Sequence, residues 1–404
     1  MPDARTPDRR GLSRRRLLTG GAAALGAAGV GAVATSASRS DAASIGGFGS
    51  ETIPFRGAHQ AGITTVPPAH VVFVAVDLAP SATVGDLRSI LRLWTTDAER
   101  LTSGRPALAD TEPELATAPA RLTVTVGLGP EVFDRVGLGD RRPASVRQLP
   151  PFAVDRLESS WNGGDLLLQI GGDDPSAAAH ATRVLLKNVR SMTSVRWQQR
   201  GFRTARGVRP DGQTMRNMMG QVDGTVNPTP GPDLDGLVWD QGRDQPWFAG
   251  GTTMVLRRIR IELDTWDELD PRGRELTIGR RQDTGAPLTG VHEHDEPDLD
   301  ATRMGIPVIP ANAHIARAHH QTPRERFLRR AFNYDDPPPR GLTSDVGLVF
   351  TAFQQDIDAQ FLPVQRRLAE ADALNEWTTP IGSAVFAILP GVKGGEYLGQ
   401  SLLT

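Results

Sequence analysis

Hydrophobic and polar positions along the chain form two successive blocks that predict a similar order of elements. In the first block, the continuous apolar run over residues 70–78 is typical of a buried strand. Apolar residues three and four positions apart over 83–101 predict an amphipathic helix. The same criteria predict strands at 122–128, 166–170 and 194–202, a short helix that opens at Pro130, and a helix at 175–189. The block therefore has the order strand, helix, strand, strand, helix, strand.

The second block repeats this order less completely. It contains a strand at 252–263, a helix at 265–280 interrupted by Pro271, a strand at 347–353, a helix at 361–374 and a strand at 384–388. Two such blocks predict an α+β fold with two ferredoxin-like halves, each an antiparallel sheet with helices on one face. Irregular stretches at 206–246 and 284–313 interrupt the pattern, and segments of this length inside a compact protein are usually functional.

The first forty residues have the pattern of an export signal. Arg14, Arg15 and Arg16 directly precede two leucines, and a weakly apolar run rich in glycine and alanine follows over 19–34. A charged region, an apolar region and a small-residue exit predict a secretory signal, and the paired arginines favour its twin-arginine form. The apolar run is too short for a membrane anchor. We therefore expect cleavage between residues 37 and 43 and an extracytoplasmic location, either secreted or in the cell envelope or periplasm.

The chain is thus predicted to have four parts. These are a signal peptide at 1–43, an N-terminal half at 52–205, a Gly- and Pro-rich region at 206–250 and a C-terminal half at 251–404. Removal of the signal takes away seven arginines and three aspartates, which changes the formal net charge from −2 to −6. A net negative chain gives no reason to expect nucleic acid as a partner. No later stretch approaches the roughly 20 apolar residues of an integral membrane segment.

The chain has no cysteine among its 404 residues. This excludes disulfides, zinc–thiolate sites, all-cysteine iron–sulfur clusters, a thiol nucleophile and covalent attachment of haem through a CxxCH motif. A metal or cofactor must therefore be held by histidine, carboxylate or backbone groups. The eight histidines are the first candidates: His59, His70, His180, His292, His294, His314, His319 and His320.

The local context separates these histidines only partly. His70 opens a strand and His180 lies within a helix, so both are expected to be structural. His292 and His294 alternate with carboxylates and could bind a metal, although a solvated acidic loop is the favoured interpretation. His314 follows a Pro-rich loop, and its context alone leaves a ligand and a buried histidine equally open.

A second candidate is the carboxylate of Asp223, which stands within Gly220-Gln221-Val222-Asp223-Gly224-Thr225. A carboxylate among glycines lies on a backbone that can approach a ligand closely. The alternative is an ordinary turn in which the aspartate caps the backbone, a common use of Asp-Gly. Without further context the turn is the favoured interpretation.

The order of several motifs resembles that of the dye-decolourising (Dyp-type) haem peroxidases, in particular their exported bacterial branch, which includes proteins called deferrochelatases. The resemblance extends from about Thr52 to the C-terminus. It rests on residues 55–63 (FRGAHQAGI), the Gly-x-x-Asp-Gly motif, His314 roughly ninety residues later, Arg329-Arg330 shortly before an aromatic residue, and residues 197–202, 278–288 and 361–368. Several motifs in the same order make the match much more specific than any one of them.

This resemblance implies a pocket enclosed by the two halves that binds haem b without a covalent bond. His314 is then the proximal iron ligand, with His319 as an alternative, and Asp223 and Arg329 act on the distal side. Gly224, Thr225 and Arg281 are expected to contact the cofactor. The implied substrates are hydrogen peroxide and one-electron donors such as dyes and phenols.

The resemblance also leaves a second function open, that of a haem-binding deferrochelatase that works with an iron-uptake system. The chain departs from the family pattern in two places. The usual His-Ile-Arg is His314-Ile315-Ala316 with Arg317 one position later, and the usual Arg-Arg-Gly-Tyr is Arg329-Arg330-Ala331-Phe332. The first departure affects a contact with a haem propionate. The second makes the backbone beside Arg329 less permissive and removes a phenol.

Overall fold

The computed structural model describes residues 47–210 and 212–404, so the predicted export signal lies outside the described residues. The N-terminal half has the predicted order of elements. Its strands are β1 (His70–Leu78), β2 (Thr123–Leu128), β3 (Leu166–Gly172) and β4 (Thr193–Phe202), and its helices are α1 (Val84–Thr102), α2 (Pro130–Arg135) and α3 (Pro175–Val189). Helix α1 begins where Thr83 and Asp86 form a reciprocal capping box, which satisfies free backbone N–H groups at its start.

The segment between the halves contains helix α4 (Pro232–Val238) and is otherwise irregular. The C-terminal half follows. Its main strands are β5 (Thr252–Ile261), β8 (Leu328–Arg329), β9 (Phe332–Asp336), β10 (Asp345–Gln354) and β11 (Thr378–Ile388), and a short hairpin is formed by β6 (Thr302–Arg303) and β7 (Ile306–Pro307). Its helices are α5 (Leu263–Trp266), α6 (Pro271–Ile278), α7 (His314–Ala318), α8 (Phe361–Ala371) and α9 (Gln400–Leu403).

The strands of the two halves join edge to edge and close on themselves. Neighbours follow the order β5-β11-β2-β3-β1-β4-β9-β10, and β10 pairs with β5 again to complete the ring. All of these pairings are antiparallel. The strands of the two halves pair only over short stretches, with two residue pairs between β11 and β2 and one between β4 and β9. The predicted α+β class with two ferredoxin-like halves is confirmed.

The inside of this closed sheet is filled by apolar and aromatic side chains, which include Phe73, Trp197, Tyr334 and Phe386. Successive residues of a strand point to opposite faces, so the neighbours of these side chains face outward. On the outer face of the C-terminal sheet, helix α8 packs through Phe361 against Phe350 of β10. The candidate functional residues lie on this outer face. Among the described residues, no helix is long and apolar enough to cross a membrane.

Three elements of the C-terminal half show the main differences between the structure and the sequence prediction. The helix predicted at 265–280 is two short helices, because Pro271 starts a new helix capped by the side chain of Asp270. Strand β11 begins six residues earlier than predicted, at Thr378. Strand β9 was missed altogether. It has five residues, two of them aspartates, and it is held by pairing with β10 and β4 instead of by its own apolar pattern.

Candidate active site

Strand alternation places Arg329 on the outer face of the C-terminal sheet. Residues 328–336 pair with β10 in one register, from Ala352 opposite Arg329 to Asp345 opposite Asp336. Leu328, Phe332 and Tyr334 point into the closed sheet. The residues between them, Arg329, Ala331 and Asn333, must therefore face outward.

The loop that carries Asp223 folds back on itself against this face. The amide of Asp223 donates to the carbonyl of Met215 at 2.8 Å, and Arg216 and Val222 form a bridge in the same turn. Asn333 anchors the loop to the sheet, since its Nδ2 donates to the carbonyl of Arg216 at 3.0 Å. The loop is thus held by the outward-facing residues that follow Arg329.

Gly224 allows the chain to turn directly after Asp223. Its φ of 123° lies in a region that side chains with a Cβ rarely adopt. This brings the two predicted distal residues together, with Arg329 Nη1 3.9 Å from Asp223 Oδ1. The side chains of Arg329 and Asp223 are 26% and 23% exposed, so both remain accessible to a ligand. The Arg329 backbone is fixed by a reciprocal pair of hydrogen bonds with the Asn227 side chain, at 2.8 and 3.0 Å.

His314 begins helix α7, which packs on helix α8 and on the end of α6. Its neighbour Ile315 lies against Gly279, where a Cβ would be only 2.7 Å from Ile315 Cγ1, so glycine is required for this close approach. His314 Nδ1 is 2.6 Å from Asp372 Oδ2. Because a carboxylate only accepts, Nδ1 donates in this contact, and Nε2 of the neutral imidazole then keeps a lone pair.

Asp372 is the carboxylate partner that the sequence did not reveal. Its side chain is buried, with 4% exposed, and its other oxygen accepts the amide of Leu374 at 2.9 Å. In the sequence it looks like an ordinary helix-capping aspartate, and no local pattern distinguishes it. A carboxylate in this position orients the imidazole and increases its basicity as a ligand.

Residues 279–285 connect the surroundings of His314 with the Asp223 loop, because Gly279 packs against Ile315 and Gly285 packs against Val222. Burial lowers the pKa of His314, but the neighbouring Asp372 carboxylate and its hydrogen bond raise it by more, so the pKa lies above its usual value. Asp223 also raises this pKa and Arg329 lowers it. The packing of residues 279–285 and the contact of Arg329 with Asp223 bring all three groups to one region of the protein, and 32% of the His314 side chain is exposed there.

The residues of this region fit a haem group. The free Nε2 of His314 is the kind of donor that haem iron takes as an axial ligand. A porphyrin also needs an apolar surface, and Ile259 and Phe350 supply half-buried apolar side chains on the same outer face of the sheet. They pack against Met215 and Leu348, and the carbonyl of Met215 binds the Asp223 amide.

Of the three other residues predicted to contact the cofactor, Gly224 and Thr225 lie beside Asp223, whereas Arg281 is exposed. Gly224 lies at the turn beside Asp223, and the Thr225 hydroxyl donates to Glu293 Oε1 at 2.9 Å. The side chain of Arg281 is exposed and forms no hydrogen bond or ion pair with the described residues.

The neighbouring residue Arg280 is buried, and burial and the nearby Arg329 cation lower the pKa of Arg280. Arg280 is thus a further arginine of this region that the sequence did not single out.

At the two places where the sequence departs from the family pattern, the replaced side chains pack against or bind neighbouring residues. Ala331 does not require a positive φ, and its methyl group packs with Met215 and Leu348. Phe332 points into the closed sheet, where it contacts Phe73 edge to face at 6.1 Å, so the missing phenol does not face Arg329. Arg317 binds helix α8 through the Glu370 carboxylate at 2.7 Å.

The other histidines lie outside this constellation. His180 is buried and hydrogen-bonded to Asp110 at 2.9 Å, and His70 starts β1 as expected. His319 binds the exposed Glu296 carboxylate at 2.9 Å and stacks on the neighbouring His320. His292 and His294 lie in an exposed loop, and no group of three metal-ligating residues is found in the described parts of the chain.

Comparisons with known proteins identify the family of this chain. The family descriptions "Dyp-type peroxidase, N-terminal" and "Dyp-type peroxidase, C-terminal" match residues 60–203 and 214–393. A dye-decolorizing peroxidase of Thermobifida fusca is 40% identical, over 86% of this chain and 84% of that protein. A deferrochelatase of Yersinia pestis is 36% identical, over 87% and 84%. A solved DyP-type peroxidase of Cellulomonas bogoriensis is 55% identical with a TM-score of 0.87, over 88% of this chain and 99% of that one.

The chain belongs to the Dyp-type peroxidase family. The sequence prediction of a haem-dependent peroxidase is confirmed at this level.

Proposed function

We propose that this peroxidase binds haem b through His314. Asp223 and Arg329 then promote the reduction of hydrogen peroxide, and dyes, phenols or other one-electron donors are oxidised. The observation that carries the proposal is the grouping of the three side chains. A carboxylate-oriented imidazole lies near a carboxylate and a guanidinium that are 3.9 Å apart.

Haem, held by His314, would supply the iron that reacts with peroxide and would store the oxidising equivalents until donors reduce it. The chain's own residues hold and move the protons. His314 offers Nε2, with Asp372 fixing the tautomer. The Asp223 carboxylate takes a proton from hydrogen peroxide and returns it to the leaving oxygen. Arg329, a permanent cation, stabilises the negative charge on that oxygen.

The absorbance spectrum of the purified protein tests the cofactor directly. A Soret band that titrates to one haem per chain is expected, together with peroxide-dependent oxidation of a dye. A protein that shows no Soret band after incubation with haem would be a binding module of another kind.

Replacement of Arg329 by leucine is expected to slow the reaction with peroxide by about 10²–10³-fold, the typical loss when one charge-stabilising donor is removed. Haem binding should be retained, because Arg329 is not an iron ligand. Stopped-flow spectra at increasing peroxide concentrations measure the rate. Arg324→Leu is a matched control, since Arg324 is exposed and forms no side-chain bond with the described residues. Equal rates in both variants would remove Arg329 from the mechanism.

Oxidation of a dye is expected to be fastest at acidic pH. Carboxylates ionise near pH 4 and imidazoles near pH 6.5 when unperturbed. A carboxylate base therefore still accepts a proton at pH 5, where an imidazole base would already be protonated. The measurement is the pH profile of kcat/KM for peroxide, and an alkaline maximum would argue against Asp223 as the base.

A second candidate function is removal of iron from haem, which the name of the 36% identical deferrochelatase suggests. The same His314 site would hold the porphyrin, and an iron-uptake system would be the partner. Incubation of the protein with haem followed by fluorescence of metal-free porphyrin distinguishes the two functions.

We also propose export by the twin-arginine route, which carries folded proteins and so allows the cofactor to be inserted first. Support comes from Arg14, Arg15 and Arg16, which directly precede two leucines and a weakly apolar run. Replacement of all three arginines by lysine should keep the protein in the cytoplasm, and unchanged export would contradict this route.

A further inference from the structure

Glu293 joins the two limbs of the loop that carries Asp223. Its Oε1 accepts a hydrogen bond from Thr214 Oγ1 at 2.6 Å and another from Thr225 Oγ1 at 2.9 Å. Thr214 immediately precedes Met215, whose carbonyl accepts the Asp223 amide, and Thr225 follows Asp223 by two residues. One carboxylate oxygen thus connects the loop on both sides of Asp223.

The surroundings of Glu293 make these bonds effective. Its side chain is only 19% exposed, and hydrogen bonds to an ionised acceptor are about twice as strong as neutral ones. The two limbs are already in contact, because a Cβ on Gly224 would lie 3.4 Å from Thr214 Cγ2. Glu293 therefore adds two side-chain hydrogen bonds next to the backbone hydrogen bond between the Asp223 amide and the Met215 carbonyl, at the open end of the loop.

The backbone of Glu293 is anchored beside Arg329. Its carbonyl accepts Arg280 Nη1 at 2.8 Å, and the same nitrogen donates to the Gly285 carbonyl at 2.7 Å. Arg280 is 6% exposed and lies close enough to Arg329 for the two cations to interact. The residue that clamps the Asp223 loop is therefore itself fixed to the part of the site that contains Arg329.

We propose that Glu293 is a positioning residue for the peroxide reaction, which holds both limbs of the Asp223 loop so that the Asp223 carboxylate stays opposite Arg329. The inference rests on the proposed role of Asp223 in proton transfer. The loop of residues 292–295, which the sequence offered as a possible metal site, would then serve to position the Asp223 loop. What the clamp requires is an acceptor oxygen for two hydroxyls, which an amide also supplies.

The test compares Glu293→Ala with Glu293→Gln. A misplacement of about 1 Å can cost up to 10²-fold in rate, so the alanine variant should react with peroxide roughly ten- to a hundredfold more slowly. The glutamine variant should regain most of the rate. The Soret band and the rate of the subsequent dye oxidation should be unchanged in both. Hydrogen–deuterium exchange should show faster exchange of amides 215–223 in the alanine variant only.

Glu296→Ala is the charge-matched control. Glu296 lies in the same loop and also acts on the Arg280 cation, but its side chain is 80% exposed and binds only His319. The Glu296→Ala variant should react with peroxide at the unchanged rate, and the hydrogen–deuterium exchange of the Asp223 loop should also be unchanged. Thr214→Val removes one hydroxyl of the clamp and should reproduce part of the Glu293→Ala effect.

Three results would overturn the proposal. The first is an equal loss in Glu293→Ala and Glu296→Ala, which would mean that only charge matters. The second is a glutamine variant as slow as the alanine variant. The third is a slow alanine variant with normal exchange of the loop. A failure of the proposed function is distinguishable, because Asp223→Asn would then react with peroxide at the full rate whatever Glu293 does.

Discussion

Replacement of His314 by alanine is expected to leave the purified protein without a stably bound haem. The His314 side chain provides an imidazole nitrogen on the side of the Asp223 loop, and the buried Asp372 carboxylate orients the ring at 2.6 Å. Without this ligand, only apolar and polar contacts to the porphyrin remain. We expect the Soret band after haem titration to weaken and shift, and peroxidase activity to fall to background.

His319→Ala is the matched control for this variant. His319 lies five residues later, is also 32% exposed at its side chain and is the alternative ligand considered from the sequence. Its Nε2 is bonded to the exposed Glu296 carboxylate, so its removal should leave the Soret band intact. Circular dichroism of both variants checks that the fold is retained. Loss of haem in His319→Ala, with normal binding in His314→Ala, would reverse the assignment.

Asp223→Asn is expected to slow the reaction with peroxide by about 10²–10⁴-fold, the usual contribution of a positioned acid–base group. Asparagine has nearly the same shape but cannot take up a proton. The Asp223 amide would still bind Met215, so the loop should be preserved, and haem binding should not change. Stopped-flow measurement of the second-order rate constant with peroxide, with the Soret maximum as a check on haem, gives the result.

Asp283→Asn separates loss of the base from loss of a nearby negative charge. Asp283 lies in the adjoining loop, whose backbone carbonyls bind Arg216, but its exposed side chain bonds only the amide of Thr284. It should react with peroxide at the normal rate. If Asp223→Asn were as fast as Asp283→Asn, proton transfer would have to be assigned to another group.

The local pattern of the sequence was sufficient for most elements of the fold. Helix α3 has the predicted bounds, and β1 coincides with the predicted apolar run. Both are recognisable because their periodicity comes from burial of one face or of a whole strand. Strand β9 is different, since it exists through its pairing with β10 and β4, which lie elsewhere in the chain. The edge-to-edge closure of the two halves depends on the same kind of long-range pairing.

For the site, the sequence supplied the residue types and their order. Asp223, His314 and Arg329 were selected by motifs whose spacing resembles a known family, and the structure brings them to one region. The partners of these residues were not predicted. Asp372 follows His314 by 58 residues, and Glu293 had been considered only as part of a loop that could bind a metal.

The sequence by itself determined the alternation of buried strands and amphipathic helices and the exclusion of cysteine chemistry. Through the resemblance of its motif order to a known family, it also indicated Asp223, His314 and Arg329. These are properties of residue type and spacing, which any conformation of the chain retains. Only the tertiary structure decided that Arg329 faces outward, that His314 is oriented by Asp372 and that Glu293 clamps the loop of Asp223. Hydrogen bonds of a few ångströms between distant segments exist only after the sheet has closed and the helices have packed on its outer face.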